Sequence, residues 1–193
     1  MMSLPIERQW EEKIHDLPAK EAYGMKVKMS PRKLTVLALY TTLSLAIYAL
    51  ESAIPPLVPL PGVKLGLANV ITLILLQHDS AKDAFMVLIA RLLLSTLLFG
   101  QVLSLLYSLT GGILSFAVMY LVNHMLRRKF PFLTGALGGL FHNLGQLLTA
   151  YAVTATAGVF TYFPYLAVSG ILTGLFTGLC AHFAGRYLLR HLL

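Results

Sequence analysis

From Leu34 onward, long apolar runs alternate with short polar breaks. A helix that is hydrophobic all round belongs in a bilayer or a very large core. The first run covers about 34–50, and a loop holding Pro55, Pro56, Pro59, Pro61 and Gly62 ends it. Proline fixes φ and removes a backbone donor, so that loop is not helical throughout. The next run, LGLANVITLILLQ, is shorter than the roughly 20 residues a span needs. It reads as a short tilted helix, or as one entering partway from the proline loop. Runs at about 83–100, 103–126, 132–157 and 164–190 follow. The pattern predicts an all-α, polytopic membrane protein. A six-helix transmembrane bundle occupies residues 32–193, and a polar cytoplasmic arm occupies residues 1–31.

Composition agrees with a bilayer. Of 193 residues, 57% are hydrophobic and 12% charged, against about 25% charged in a soluble domain. The net charge of +7 would invite nucleic acid if the basic residues formed a patch, but they cluster at helix ends. Arg32 and Lys33 flank the first run. Arg127, Arg128 and Lys129 separate the fourth from the fifth, and Arg186 and Arg190 close the sixth. With six crossings all three clusters lie on one side, which the positive-inside rule makes cytoplasmic. The expected location is the bacterial cytoplasmic membrane with both termini inside. The proline loop, Glu51, Lys64 and the Tyr162, Phe163, Tyr165 belt then lie at the outer face. A single cysteine, Cys180, excludes an internal disulfide and argues against a cysteine metal site.

Candidate chemistry begins with Arg91. It is the only formally charged residue between Asp83 and Arg127, and no acidic residue follows Asp83. It sits about eight residues, or ~12 Å, into its helix, near the middle of a ~30 Å hydrocarbon core. Arginine at that depth needs a polar cavity and a partner. With few protein carboxylates at hand, a bound anion is a candidate partner. His142 and Gln146 in FHNLGQLL share a helix face, and Asn143 and Gln146 are also neighbours. Inter-helix bonding would explain them, as would ligand contact beside Arg91. Lys64 and Asn69 in PGVKLGLAN add a cation and an amide, and Lys64 is either a guide for an anion or an interfacial lysine. Glu51 either pairs with Lys64 or Arg91, or ends the first helix at the surface. Asn123 and His124 read as interfacial and His182 as structural. Gly170, Gly174 and Gly178, like Gly135 and Gly139, are spaced for close helix packing. Ala38, Thr42 and Ala46 form a similar stripe on the first helix, suited to internal packing or to another membrane subunit.

Several chemistries lack their residues. There is no phosphate-binding glycine–lysine loop, no HExxH and no cluster of Cys and His. From Leu34 onward, Asp79 and Asp83 are the only close acidic pair, too few to hold magnesium around a diphosphate. No cofactor, metal or catalytic residue is expected.

PGVKLGLANVITL, Arg91, SLTGGILS and GALGGLFHNLGQLLTAY together resemble the Gx transporter family of bacterial membrane proteins, also labelled heptaprenyl diphosphate synthase component I. The resemblance covers about residues 34–190. That family is in turn similar to the substrate-binding S components of energy-coupling factor (ECF) vitamin transporters. The resemblance implies six helices, an outward-facing site, and docking to a transmembrane coupling subunit driven by ATPases. Ala38, Thr42 and Ala46 would be the docking stripe, although Thr42 interrupts the usual alanine pair. Arg91, Asn69, His142, Asn143, Gln146 and Lys64 would hold an anionic or polar, vitamin-like or precursor ligand. The prenyl synthase label implies an alternative: a non-catalytic membrane subunit of an isoprenoid-linked or quinone-linked redox assembly. The chain has no aspartate-rich prenyl synthase motif, and TATAG at Thr154–Gly158 lacks the aspartate of a flavin-attachment motif.

Overall fold

The computed structural model describes residues 29–54, 64–78, 81–99 and 102–192, with side chains as far as residue 184. Most of the polar arm, the proline loop and Asp79 lie outside the described residues. Among the described residues six α-helices follow in order: α1 (Pro31–Ser52), α2 (Asn69–Gln77), α3 (Ala81–Phe99), α4 (Val102–Met125), α5 (Pro131–Thr154) and α6 (Phe163–Leu192). A 3₁₀ turn, Ala157–Tyr162, joins the last two, and the described residues contain no strand. One compact unit begins at Val36, after the first turn of α1.

Local chemistry sets the ends. Pro131 occupies the first turn of α5, where its missing N–H costs nothing. The fifth run, expected to reach residue 157, stops at Thr154, because Ala155 turns left-handed (φ 51°) and its N–H caps the Tyr151 carbonyl. The chain then tightens into the 3₁₀ turn.

The surface of the bundle is apolar and much of its interior polar. Leu97 on α3, Leu121 on α4 and Leu172 on α6 are exposed, whereas Glu51, Asn69, Arg91, His142 and Gln146 are buried. A water-soluble fold reverses that preference. Three helices are long and apolar enough to cross a membrane: α1, α4, and the stretch Ala157–Ala184 that includes most of α6. The nine residues of α2 rise about 14 Å, less than half a hydrocarbon core. It is instead the central element: seven of its nine residues are buried, and it touches α3, α4, α5 and α6.

The most extensive helix contact is between α5 and α6. A methyl on Gly139 would stand on the Gly170 carbonyl oxygen, and one on Gly135 on that of Gly174. The two glycine series therefore pack on each other, backbone to backbone, inside the chain.

Candidate functional site

The site is built where the chain enters α2. Gly66 is left-handed, with φ 83°, a conformation open to glycine at little cost. That turn aims the Gly66 N–H at the Glu51 carboxylate of α1, 2.5 Å away, and the Ala68 backbone also hydrogen-bonds it. Ser44 of α1 donates to the Ala68 carbonyl (3.3 Å) and Thr173 of α6 to that of Leu65 (3.3 Å). The segment from Lys64 to Ala68 is thus tied to α1 and α6, and Gly66 packs close to the His142 ring of α5, where a Cβ would fall 2.6 Å from Cδ2.

Beneath it runs a continuous polar chain. The Lys64 N–H donates to Gln146 Oε1 (3.2 Å), and Gln146 Nε2 meets His142 Nε2 (2.9 Å). His142 Nδ1 meets Asn69 Nδ2 at 3.2 Å, and Arg91 Nη2 reaches Asn69 Oδ1 at 3.5 Å. The last distance is at the limit of a hydrogen bond. Arg91 is only 3% exposed, and its Nε–H has no partner among the described residues. Glu51 and Arg91 attract each other through their charges, but no salt bridge joins them. Lys64 Nζ donates to Ser52 Oγ (2.6 Å) and stands 3.4 Å above the Tyr48 ring, and the Tyr48 hydroxyl meets Ser104 Oγ at 3.1 Å. Arg91 and Glu51 thus share the buried interior, while the Lys64 ammonium, bonded to Ser52, lies at its exposed rim.

A model of the heptaprenyl diphosphate synthase component I family matches residues 40–184. The chain belongs to that family. The match takes in Glu51, Lys64, Asn69, Arg91, His142 and Gln146. No curated protein and no solved structure matches the chain.

The structure brings Lys64, Asn69, Arg91, His142 and Gln146 of this family member into one network. Asn143 faces elsewhere: its Nδ2 donates to the Leu166 carbonyl (2.7 Å) and to Ser169 Oγ (3.2 Å) of α6, while its Oδ1 is unpartnered. One residue along a helix is about 100° of rotation, so His142 and Asn143 cannot serve the same face. Ala38, Thr42 and Ala46 lie together on an exposed face of α1. Glu51 is buried rather than a surface helix end. Asn123 is likewise not interfacial: it is buried, donates to the Leu76 carbonyl (2.8 Å) and accepts from Gln77 Nε2 (3.0 Å). It therefore seals the end of α2.

Two polar stripes escaped the sequence reading. Thr41, Ser44, Tyr48 and Glu51 on α1, and Ser104, Ser108, Gly111 and Ser115 on α4, are all buried. Their spacing of three and four residues is the signal that would have found them. Among the described residues no group of three metal-ligating side chains occurs.

Proposed function

We propose that this family member is the substrate-binding membrane subunit of an energy-coupling-type uptake transporter, and that its ligand site is the Arg91 cluster. The observation that carries the proposal is Arg91 itself, a buried cation with an unpartnered Nε–H at the end of the polar chain. A charge at that depth costs at least about 2.5–3.5 kcal/mol, and so large a cost is retained where the charge has work to do. The ligand is a small anionic or polar molecule entering from the outer face, past the segment before α2. Asn69, His142 and Gln146 orient it. Both termini are cytoplasmic, and the energy for release comes from partner subunits, because the chain carries no ATP-binding motif of its own. The exposed α1 face with Ala38, Thr42 and Ala46 is where a coupling subunit would dock.

The family's own description favours a second reading: a non-catalytic membrane partner of a prenyl diphosphate synthase. In that case the cluster holds an isoprenoid diphosphate or quinone head. Mass spectrometry of small molecules released from purified wild type and Arg91→Ala separates the two. A water-soluble compound retained only by wild type supports the transporter subunit. A polyprenyl or quinone species supports the second reading, and equal retention by both proteins removes the site from Arg91.

A further inference from the structure

A ladder of rings stands on the exposed side of the α3–α4 hairpin. Phe116, Tyr120 and His124 lie four residues apart on α4 and so share one face. Their rings are close to parallel: the Phe116 and Tyr120 centroids are 6.3 Å apart at 8°, and those of Tyr120 and His124 are 6.4 Å apart at 20°. Phe85 of α3 meets Phe116 at 5.4 Å. Phe85 and Tyr120 are 42% and 49% exposed, His124 is exposed as well, and Phe116 is partly covered. None of these rings belongs to the polar chain from Lys64 to Arg91.

The ladder has about the length of one leaflet. From Phe116 to His124 is eight residues, a rise of about 12 Å, against about 15 Å for half of a hydrocarbon core. Toward the start of α4 the exposed large apolar residues are Val102, Leu103, Leu106 and Ile113, with no ring among them. A partner helix crossing the bilayer would draw on both halves of α4, whereas a lipid chain needs only one.

At its open end the ladder runs into charge. Arg127, Arg128 and Lys129 follow His124 closely and are all exposed. Among the described residues at this end of α3 and α4, Asp83 is the one carboxylate, against Lys82 and those three. Arg127 and Arg128 are both left-handed, with φ 47° and 61°. They close α4 by a turn in which the Arg128 N–H bonds the Asn123 carbonyl (3.0 Å) and the Arg127 N–H that of His124 (3.3 Å). Glycine is the usual residue at the Arg127 position of such a turn, because a Cβ is strained there. Positive charge for membrane topology, or for the C-terminal dipole of α4, can come from a lysine at any nearby position. Neither calls for arginine at the strained position, nor for rings in register beside it.

We infer that this face of α3 and α4 binds an anionic phospholipid of the leaflet that meets the basic loop, the cytoplasmic one on the orientation proposed above. One acyl chain lies along Phe85, Phe116 and Tyr120, and the phosphate meets His124 and Arg127. A guanidinium pairs with phosphate through two parallel N–H donors, and an imidazole offers an N–H in either tautomer. The site is separate from the Arg91 cluster and does not depend on what that cluster binds.

The test uses the full chain in nanodiscs of mixed phosphatidylcholine and phosphatidylglycerol, with native mass spectrometry reading the lipid that stays bound. Wild type is expected to retain phosphatidylglycerol in preference to phosphatidylcholine. Arg127→Gly is expected to lower that preference about fivefold, the effect of one basic residue at an anionic surface. It should nevertheless melt no lower than wild type in phosphatidylcholine alone, since glycine relieves the turn. Tyr120→Leu, which keeps the face apolar but breaks the ladder, is expected to lower retention of phosphatidylglycerol. Arg32→Gln, which removes a positive charge from the start of α1, is expected to leave the preference unchanged. Equal loss in Arg32→Gln and Arg127→Gly means attraction by net charge only and overturns the inference, as does a wild type without preference or a Tyr120→Leu that retains as much as wild type. Arg127→Gly melting below wild type gives that side chain a structural role and also overturns it. A polyprenyl phosphate, a second copy of the chain or another protein carried by wild type and lost from Tyr120→Leu would make the face the seat of that partner and overturn the phospholipid.

Discussion

Gly139→Ala tests whether the α5–α6 contact holds the bundle together. A Cβ on Gly139 would overlap the Gly170 carbonyl oxygen and lie 3.0 Å from both Gly170 C and Gly174 Cα. All three atoms are backbone, so no rotamer change relieves them. Relieving the overlap with the oxygen requires the helices to part by more than about 1 Å, and a gap of about 0.5–1 Å already forfeits roughly a quarter to a half of each neighbouring dispersion contact. Overpacking of this kind costs about 3 kcal/mol at the upper end of its range. The better helix propensity of alanine returns about 1 kcal/mol. The net loss is about 2 kcal/mol, or a fall of about 4–8 °C in melting temperature for a chain of this size. The single cysteine provides the assay. Cys180 on α6 is partly buried, and its labelling by a thiol-reactive dye during heating reports the unfolding of the bundle. Gly158→Ala is the control, since a methyl there meets only Thr156 Cγ2 at 3.5 Å and is expected to leave the melting temperature unchanged. If Gly139→Ala labels along the same curve as Gly158→Ala, the close approach is wrong, and so is the placement of His142 and Gln146 that depends on it.

Two further substitutions probe the site's supports. Gly66→Ala meets a backbone cost of about 1–2 kcal/mol for a left-handed alanine, and its methyl would lie 2.6 Å from His142 Cδ2; it should lower the melting temperature and abolish retention of the co-purified ligand, and retention at the wild-type level would show that the Gly66 turn does not position the ring. Asn123→Leu removes a buried side chain that serves the Leu76 carbonyl and Gln77, so it should cost about 1–3 kcal/mol and speed amide exchange at the C-terminal end of α2; an unchanged exchange pattern would argue against a sealing role.

How much was legible beforehand follows from what side-chain spacing can and cannot encode. Four of the six apolar runs became helices close to their expected limits, because a bilayer leaves few alternatives to a hydrogen-bonded helix. The shortness of α2 was visible in the distance from Gly66 to Gln77. The pairing of His142 with Gln146 was visible as an i, i+4 spacing, and the depth of Arg91 as a count along its helix. The direction of Asn143 was not visible. Its spacing from Gln146 is as favourable as that of His142, and only the position of α6 decides which of the two joins the cluster. Burial of Glu51 was equally hidden, since it depends on the Gly66 turn folding back over the end of α1. The stripe of Thr41, Ser44, Tyr48 and Glu51 was present in the letters, but hydroxyl groups contribute little to a search for charge.

The helices that carry the network are also the ones that hydropathy fails to recognise as spans. α1, α4 and α6 meet the length and apolarity of a membrane crossing, whereas α2, α3 and α5 do not. Each failure has a specific cause. α2 is too short, α3 carries Lys82, Asp83 and Arg91, and α5 spends three of five positions in HNLGQ on polar side chains. Asn69, Arg91, His142 and Gln146 lie on those three helices, inside a shell whose outward residues include Leu97, Leu121 and Leu172. In hydrocarbon, helices are not pressed together by the hydrophobic effect, and close packing of small residues and buried polar bonds must hold them. The glycine contact of α5 with α6 supplies the first, and the chain from Lys64 to Arg91 supplies the second while linking α2, α3 and α5. The network that fastens these three helices ends on Arg91, whose Nε–H has no partner among the described residues. On the binding role proposed above, a ligand held at Arg91 is expected to tighten α2, α3 and α5 against one another, a response that a partner in the membrane could sense.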